Sequence, residues 1–157
     1  LRTSWVFGIH GQNFVKTMLR LQKNGDPLHI ISDTNGCPTD AADIAMVIMQ
    51  LAYQVNKNKR IQWGTYHYSG DHSTSWYSFA GEIFKRVSEV TGQPLPKILP
   101  VSVDRYPSAL QRPINTALSC KKIGETFDIQ PCQWKKGVHE VVNTLLNTEI
   151  RTVSRVL

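Results

Sequence analysis

Apolar positions along this chain switch between two periods, and the switches outline strands alternating with helices. Residues 1–8 hold Leu1, Trp5, Val6 and Phe7 among β-forming neighbours and close on Gly8, predicting a strand with apolar residues on both faces. Over 13–21 the period lengthens: Phe14, Thr17 or Met18, and Leu21 share a helical face, and Asn24-Gly25 supplies the stop. A short apolar strand follows at 28–32, then the turn-rich loop Asp33-Thr34-Asn35-Gly36-Cys37-Pro38-Thr39. Thr39 or Asp40 can cap the next helix, whose face carries Ile44, Val47 or Ile48, Leu51 and Val55. Residues 65–70 read as another strand. Ser73 or Thr74 then caps a helix bearing Trp76, Phe79, Ile83, Val87 and Val90, ended by Gly92 and Pro94. Residues 98–103 predict an edge strand, because Pro100 cannot donate to a central ladder. Loop with a short helical turn is expected over 104–115, a small helix over 119–127, and an amphipathic one over 134–146 with Val138, Val141 or Val142, and Leu145. The tail from residue 147 shows no clear element.

Such alternation argues an α/β fold with a mainly parallel sheet. The 157 residues fit one compact unit, and 41% hydrophobic against 19% charged residues supplies a core and excludes wholesale disorder. A chain that opens inside a core strand, without an initiator Met, reads as a single truncated unit cut from something longer. Cys37, Cys120 and Cys132 form no CxxC, so neither a disulfide framework nor a structural zinc site is expected. The longest apolar stretch, 44–53, is ten residues, against the ~20 a membrane span requires. A cytoplasmic protein without membrane contact is the expectation. The 18 Lys+Arg exceed the 12 Asp+Glu by 6, which favours anionic partners. The basic residues are scattered rather than striped, so nucleic acid is not an expected partner.

No Gly-rich dinucleotide fingerprint, P-loop, nucleophile elbow or HExxH is present. His67 and His72 bracket a Gly-containing loop but lack a third ligand at metal-binding spacing. Asp40 and Asp43 at a helix start are accounted for by the helix dipole. The informative features are loops at strand ends, where open α/β sheets bind ligands. Three segments fall there: 4–8 with Asn13, the 33–39 loop, and Gln111-Arg112-Pro113-Ile114-Asn115. They offer an aromatic wall, backbone N–H groups at helix starts, and an arginine fork suited to a diphosphate. These residue types point to half of a pocket for a phosphorylated, partly planar ligand.

Arg2-Thr3-Ser4-Trp5-Val6-Phe7-Gly8, followed by Gly11-x-Asn13-Phe14-Val15-Lys16-Thr17-Met18-Leu19, resembles the bacterial dTDP-4-dehydrorhamnose reductases, extended short-chain dehydrogenases/reductases. Further pieces agree in order: Asp33-x-x-Gly36-x-Pro38-Thr39 with Asp43-Ile44-Ala45, Gly64-x-Tyr66-His67-x-Ser69-Gly70, and Ser75-Trp76-Tyr77-x-Phe79-Ala80. Arg112-Pro113-x-Asn115-Thr116-x-Leu118 and Trp134-x-x-Gly137-Val138 complete the match. The resemblance implies the C-terminal part of a Rossmann-like parallel sheet plus the smaller sugar-nucleotide-binding α/β lobe. It implies a parent enzyme that reduces dTDP-4-dehydro-L-rhamnose to dTDP-L-rhamnose, a cell-surface polysaccharide precursor, with NADPH or NADH. In that family a Gly-rich loop and a Tyr-x-x-x-Lys pair precede this region. No Gly-rich loop occurs here, and the Tyr-x-x-x-Lys that does occur, Tyr53 to Lys57, is not where that family's pair stands, ahead of this region. The cofactor would thus be bound mostly by a missing N-terminal half, and this chain alone is expected to be inactive.

By the same resemblance Thr3 and Ser4 lie beside the nicotinamide and Trp5 against the hexose. Asn13 touches the sugar nucleotide, and the 33–39 loop, with Asp33, Gly36, Pro38 and Thr39, borders its thymidine side. Arg112 and Asn115 sit near the diphosphate. Trp76, Phe79 and Trp134 are assigned to packing. Thr34 departs from a usual Gln, and Thr116 from a common Ser. Some members use Mg²⁺ at a dimer contact, but no acidic cluster here supports one. The expected partners are the dTDP-sugar and either a second copy or the N-terminal half. Two alternatives stand beside this reading: a regulatory relative like the methionine adenosyltransferase β subunit, and another nucleotide-sugar epimerase or dehydratase.

Overall fold

The computed structural model describes residues 1–57, 62–105 and 113–153, with side chains described through residue 148. Strands and helices alternate: β1 (Val6–Phe7), α1 (Phe14–Leu21), β2 (Leu28–Ile31), β3 (Asn35–Gly36), β4 (Thr39–Asp40), α2 (Ala41–Lys57), β5 (Thr74–Ser75), α3 (Trp76–Thr91), β6 (Ile98–Val101), α4 (Lys121–Phe127) and α5 (Trp134–Val153). This is the α/β order that the hydrophobic pattern predicts. β1 runs parallel to β4, β2 parallel to β6, and β3 antiparallel to β5. The sheet is therefore in short pieces, tied by single bridges such as Arg2–His67 and Gly70–Cys132. Pro100 sits opposite Ile30 in the two-stranded β2–β6 pair, an edge position that tolerates its missing donor.

Four expectations need correction. The strand expected over 1–8 shrinks to β1, because Trp5 takes a left-handed backbone (φ 46°) and re-aims the chain. Arg2 pairs with residues 66–68 before that turn, and Val6–Phe7 pairs with β4 after it. Val6 is left 47% exposed while Phe7 is buried, so only one face of β1 is covered. Residues 65–70 make bridges rather than a strand, with Tyr66 and Tyr68 buried in the core beneath α2. The cap of α3 is Ser75, whose hydroxyl accepts from the Ser78 amide. α5 continues to Val153, through a stretch without the Gly or Pro that would stop it.

The core is in two parts. Phe7, Val15, Phe79, Ile83, Phe84, Trp134, Val138 and Val142 form the larger, where α3 packs on α1 and α5. His139 Nε2 lies 2.8 Å from Glu82 Oε1, and Arg86 donates to Asn143, pinning α3 to α5 at its rim. Val47, Tyr66, Tyr68, Cys120, Ile123, Ile129 and Cys132 form the smaller part under α2. Cys37, Cys120 and Cys132 are free and buried, and burial pushes the Cys132 thiol up to about 12.

Asp40 joins β4 to α2. Its Oδ1 accepts from the Ala42 amide at 2.9 Å, yet the residue is buried, with Gly137 and Phe7 against it. Burial first, then the nearby Asp43 and Glu140 charges, raises its pKa above its ordinary value, against the lowering by the Ala42 amide. The ionised form is thus a liability above that raised pKa, relieved as pH falls through it. Asp40→Asn keeps the capping oxygen and removes the charge. It should raise Tm at pH 7, with the gain shrinking toward pH 4; a lower Tm at pH 7 would show that attraction to the helix dipole outweighs desolvation.

Candidate functional site

The 33–39 loop is strapped down from several sides. β3 pairs with β5 on one edge, and on the other the Asn35 amide donates to Ile114 O (2.7 Å) while the Thr116 amide donates to Asn35 O (2.8 Å). The exposed Asp33 carboxylate accepts from Ser102 Oγ at 2.5 Å and from the Val103 amide at 3.0 Å. The Ser102 hydroxyl, and then the Val103 amide, lowers its pKa. Thr39 is buried, its hydroxyl shared between Ser4 O (2.8 Å) and Cys37 O (3.1 Å). Ser4 Oγ donates back to Cys37 O at 3.2 Å, and Pro38 is fully buried beside them. These bonds tie the 4–5 segment to the loop.

Trp5 sits where these parts meet. Its indole stacks on Trp76 at 3.6 Å between ring centroids, with planes 10° apart, and Nε1 donates to Thr116 Oγ1 at 3.1 Å. A Cβ on Gly36 would stand 2.2 Å from Trp5 Cε2, so only glycine lets the loop backbone pass against the ring. A left-handed bulky residue costs about 1–2 kcal/mol. An aromatic pair at about 0.5–1.5 kcal/mol and a hydrogen bond of about the same size offset that before burial is counted. The strained turn at Trp5 is held by what its side chain touches.

Beside the indole pair lies a pocket of about 190 Å³, lined also by Ile31, Thr34, Val103, Pro113 and Thr116. A second depression, a cleft of about 600 Å³, opens between β1, α2 and α5, with Asp40 and Glu140 among its lining residues. Of the residues singled out in the sequence, Trp5, Asp33, Gly36, Pro38, Thr39 and Asn115 are brought together at the smaller pocket or its supporting loops. Ser4 is half-buried behind them, and Thr3 is exposed at the rim. Asn115 is exposed and closes its own turn, Oδ1 accepting from the Ala117 amide.

Asn13 is placed elsewhere. It caps α1 through the Lys16 amide, donates to Gly8 O (2.8 Å) and His10 O (3.3 Å), and borders the larger cleft. Gln111 and Arg112 lie outside the described residues. Trp76, assigned to packing, does pack on Trp5, Phe14 and Phe79, and it also lines the pocket. Thr116, noted only as a substitution that keeps the hydroxyl, lines it too and accepts from Trp5 Nε1. The available signal was position: Trp76 follows the Ser75 cap, at a helix start beside a strand end. His72 is used structurally, with Nδ1 2.7 Å from Asp71 and Nε2 accepting from Trp134 Nε1 at 3.1 Å. Among the described residues no group of three or more His, Cys, Asp or Glu could hold a metal ion, and no helix is long and apolar enough to cross a membrane.

Comparison with known proteins bears on this geometry. The RmlD substrate binding domain family matches residues 1–147. A dTDP-4-dehydrorhamnose reductase of Aggregatibacter actinomycetemcomitans is 40% identical over 142 residues, 90% of this chain and 48% of that protein. The crystal structure of a dTDP-4-dehydrorhamnose reductase from Clostridium acetobutylicum superposes with a TM-score of 0.78 at 32% identity, covering 92% of this chain and 48% of that one. That of Bacillus anthracis, solved in complex with NADP, gives 0.75 at 31% identity, covering 89% of this chain and 45% of that one. The chain spans about half the length of the curated relatives it matches.

The packing at Trp5 makes a direct prediction. Gly36→Ala must displace the indole, so stability to denaturant should fall by about 1–3 kcal/mol, the usual cost of overpacking. The near-UV circular dichroism of the stacked tryptophans should weaken with it. An unchanged spectrum and midpoint would mean that the loop relaxes without disturbing Trp5.

Proposed function

The chain belongs to the RmlD substrate binding domain family, and from that membership we propose that it forms the sugar-nucleotide lobe of an NADPH-dependent dTDP-4-dehydrorhamnose reductase. The substrate would be dTDP-4-dehydro-L-rhamnose and the product dTDP-L-rhamnose, in the cytoplasm. The observation that carries this reading is the convergence of Trp5, the 33–39 loop and residues 113–116 on one ring-sized pocket. On this reading Trp5 and Trp76 wall the hexose, the 33–39 loop borders the nucleoside, and Asn115 lies near the diphosphate, for which Arg112 is the candidate charge from the sequence. Thr3 and Ser4 reach toward the nicotinamide. The relatives named dTDP-4-dehydrorhamnose reductase support the reductase reading over the regulatory and epimerase or dehydratase alternatives.

The division of labour is part of the proposal. A nicotinamide dinucleotide would supply hydride, with Thr3 and Ser4 at its nicotinamide end and most of its cradle supplied by other polypeptide. The sequence has no Gly-rich fingerprint, and its Tyr-x-x-x-Lys, Tyr53 to Lys57, lies on α2 with Tyr53 exposed and neither residue lining the Trp5 pocket. What this chain does is bind and orient the sugar nucleotide. The proton donor and the dinucleotide site would come from polypeptide corresponding to the half of the relatives that this chain does not match. That polypeptide is also the partner we assign to the apolar side of α2, where Met46 (63%), Met49 (70%) and Tyr53 (59%) are exposed.

The test is NADPH oxidation in the presence of dTDP-4-dehydro-L-rhamnose. The 157-residue chain alone should show no turnover, since loss of a positioned general acid removes ~10²–10⁴ in rate before any loss of cofactor binding. Fused behind the unmatched half of the Aggregatibacter relative, the chain should restore activity. Turnover by the chain alone within tenfold of that fusion, or a fusion that binds cofactor and stays inactive, would overturn the reading.

A further inference from the structure

The stack with Trp76 holds the Trp5 indole from one side only. Parallel rings with centroids 3.6 Å apart and planes 10° apart can still slide or turn in their shared plane while keeping much of their dispersion contact. A hydrogen bond at the ring edge is directional and removes that freedom. Trp5 makes one such bond, from Nε1 to Thr116 Oγ1 at 3.1 Å.

The chemistry of the groups around this hydroxyl leaves it one arrangement. An indole N–H can only donate, so Thr116 Oγ1 accepts from Trp5. A backbone carbonyl can only accept, so the Thr116 proton points at Asn35 O, 3.0 Å away. The hydroxyl is thus a two-bond relay from the indole to the 33–39 loop, both bonds of fixed direction. The main chain makes its own link between the same segments: the Thr116 amide donates to Asn35 O at 2.8 Å and the Asn35 amide to Ile114 O at 2.7 Å. Those bonds do not need the side chain. What the hydroxyl adds is the connection to the ring.

We propose that Thr116 is a positioning residue whose hydroxyl relay sets the in-plane orientation of the Trp5 indole and, through it, the affinity for the hexose of the sugar nucleotide. The proposal rests on the reading of Trp5 as the hexose wall and adds a residue role to it. An indole free to turn presents its binding edge and face only part of the time, and apparent affinity falls by that fraction. The nucleoside, bordered by a loop that keeps its main-chain bonds, is insensitive to the change.

Two variants separate the hydroxyl from the rest of the side chain: Thr116→Val keeps the shape and removes it, and Thr116→Ser keeps it and removes the methyl. Two-dimensional NMR of the four tryptophan indole N–H groups in the unliganded 157-residue chain reads the relay. The Trp5 signal should move upfield in Thr116→Val, as a proton leaving an oxygen acceptor does, and return in Thr116→Ser; that of Trp134, bonded to His72, should stay in place. Calorimetric titration with dTDP-L-rhamnose and dTDP reads the consequence. Thr116→Val should weaken dTDP-L-rhamnose roughly three- to tenfold, the worth of one hydrogen bond, and leave dTDP unchanged. Thr116→Ser should bring the affinity back toward wild type. An unmoved Trp5 signal in Thr116→Val, equal dTDP-L-rhamnose affinity in that variant and wild type, both probes weakened alike, or a serine variant that restores nothing overturns the role given to Thr116 and leaves the lobe reading intact. Failure of the wild-type chain to bind either probe overturns that reading, and this proposal with it.

Discussion

At Trp5, three stretches of chain that are far apart in sequence meet. Its ring stacks on Trp76 at the start of α3, its Nε1 reaches Thr116, its carbonyl accepts from Thr39, and Gly36 passes against its face. Each contact alone is worth about 1 kcal/mol. Together they hold a left-handed backbone at a residue that resists it, and they fix the loops that shape the pocket. A smaller side chain at position 5 would release the turn, the 33–39 loop and the 113–116 segment at once. The site is thus assembled by packing around one ring rather than by a continuous sheet, which the short two-stranded pieces could not provide alone.

The two depressions differ in what they ask of a ligand. The larger cleft brings together Asp40 and Glu140, and the raised pKa of Asp40 reflects burial near like charge. That environment repels a phosphorylated molecule. The smaller pocket is walled by aromatic and apolar groups, with its supporting carboxylate, Asp33, turned away and committed to Ser102 and Val103. Volume favours the cleft, but the chemistry of a sugar nucleotide favours the pocket.

Much of this was legible in the sequence where the signal is local. The helices over α1, α2, α3 and α5 follow from apolar spacing, and Gly92 ends α3 in a left-handed turn as expected. The 33–39 loop was legible from its Gly-x-Pro turn chemistry, and the segment at Trp5 from family resemblance. What stayed hidden depends on tertiary partners. A positive φ at Trp5 has no local cause and exists only because Gly36 and Trp76 are there. Asn13 looked like a ligand group because a capping amide and a binding amide have the same sequence, and only the loop carbonyls of Gly8 and His10 decide. Trp76 packs as its helical phase with Phe79 and Ile83 indicates, but its partial exposure at the pocket depends on the strand end beside it.

The central claim is that the sugar ring is seated at the Trp5–Trp76 pair. A crystal structure of this chain with dTDP-L-rhamnose tests it most directly. The account predicts density for the hexose in the 190 Å³ pocket beside the Trp5–Trp76 pair, with the thymidine running along the 33–39 loop. Density for the sugar in the β1–α2–α5 cleft, with the Trp5 pocket empty, would contradict it.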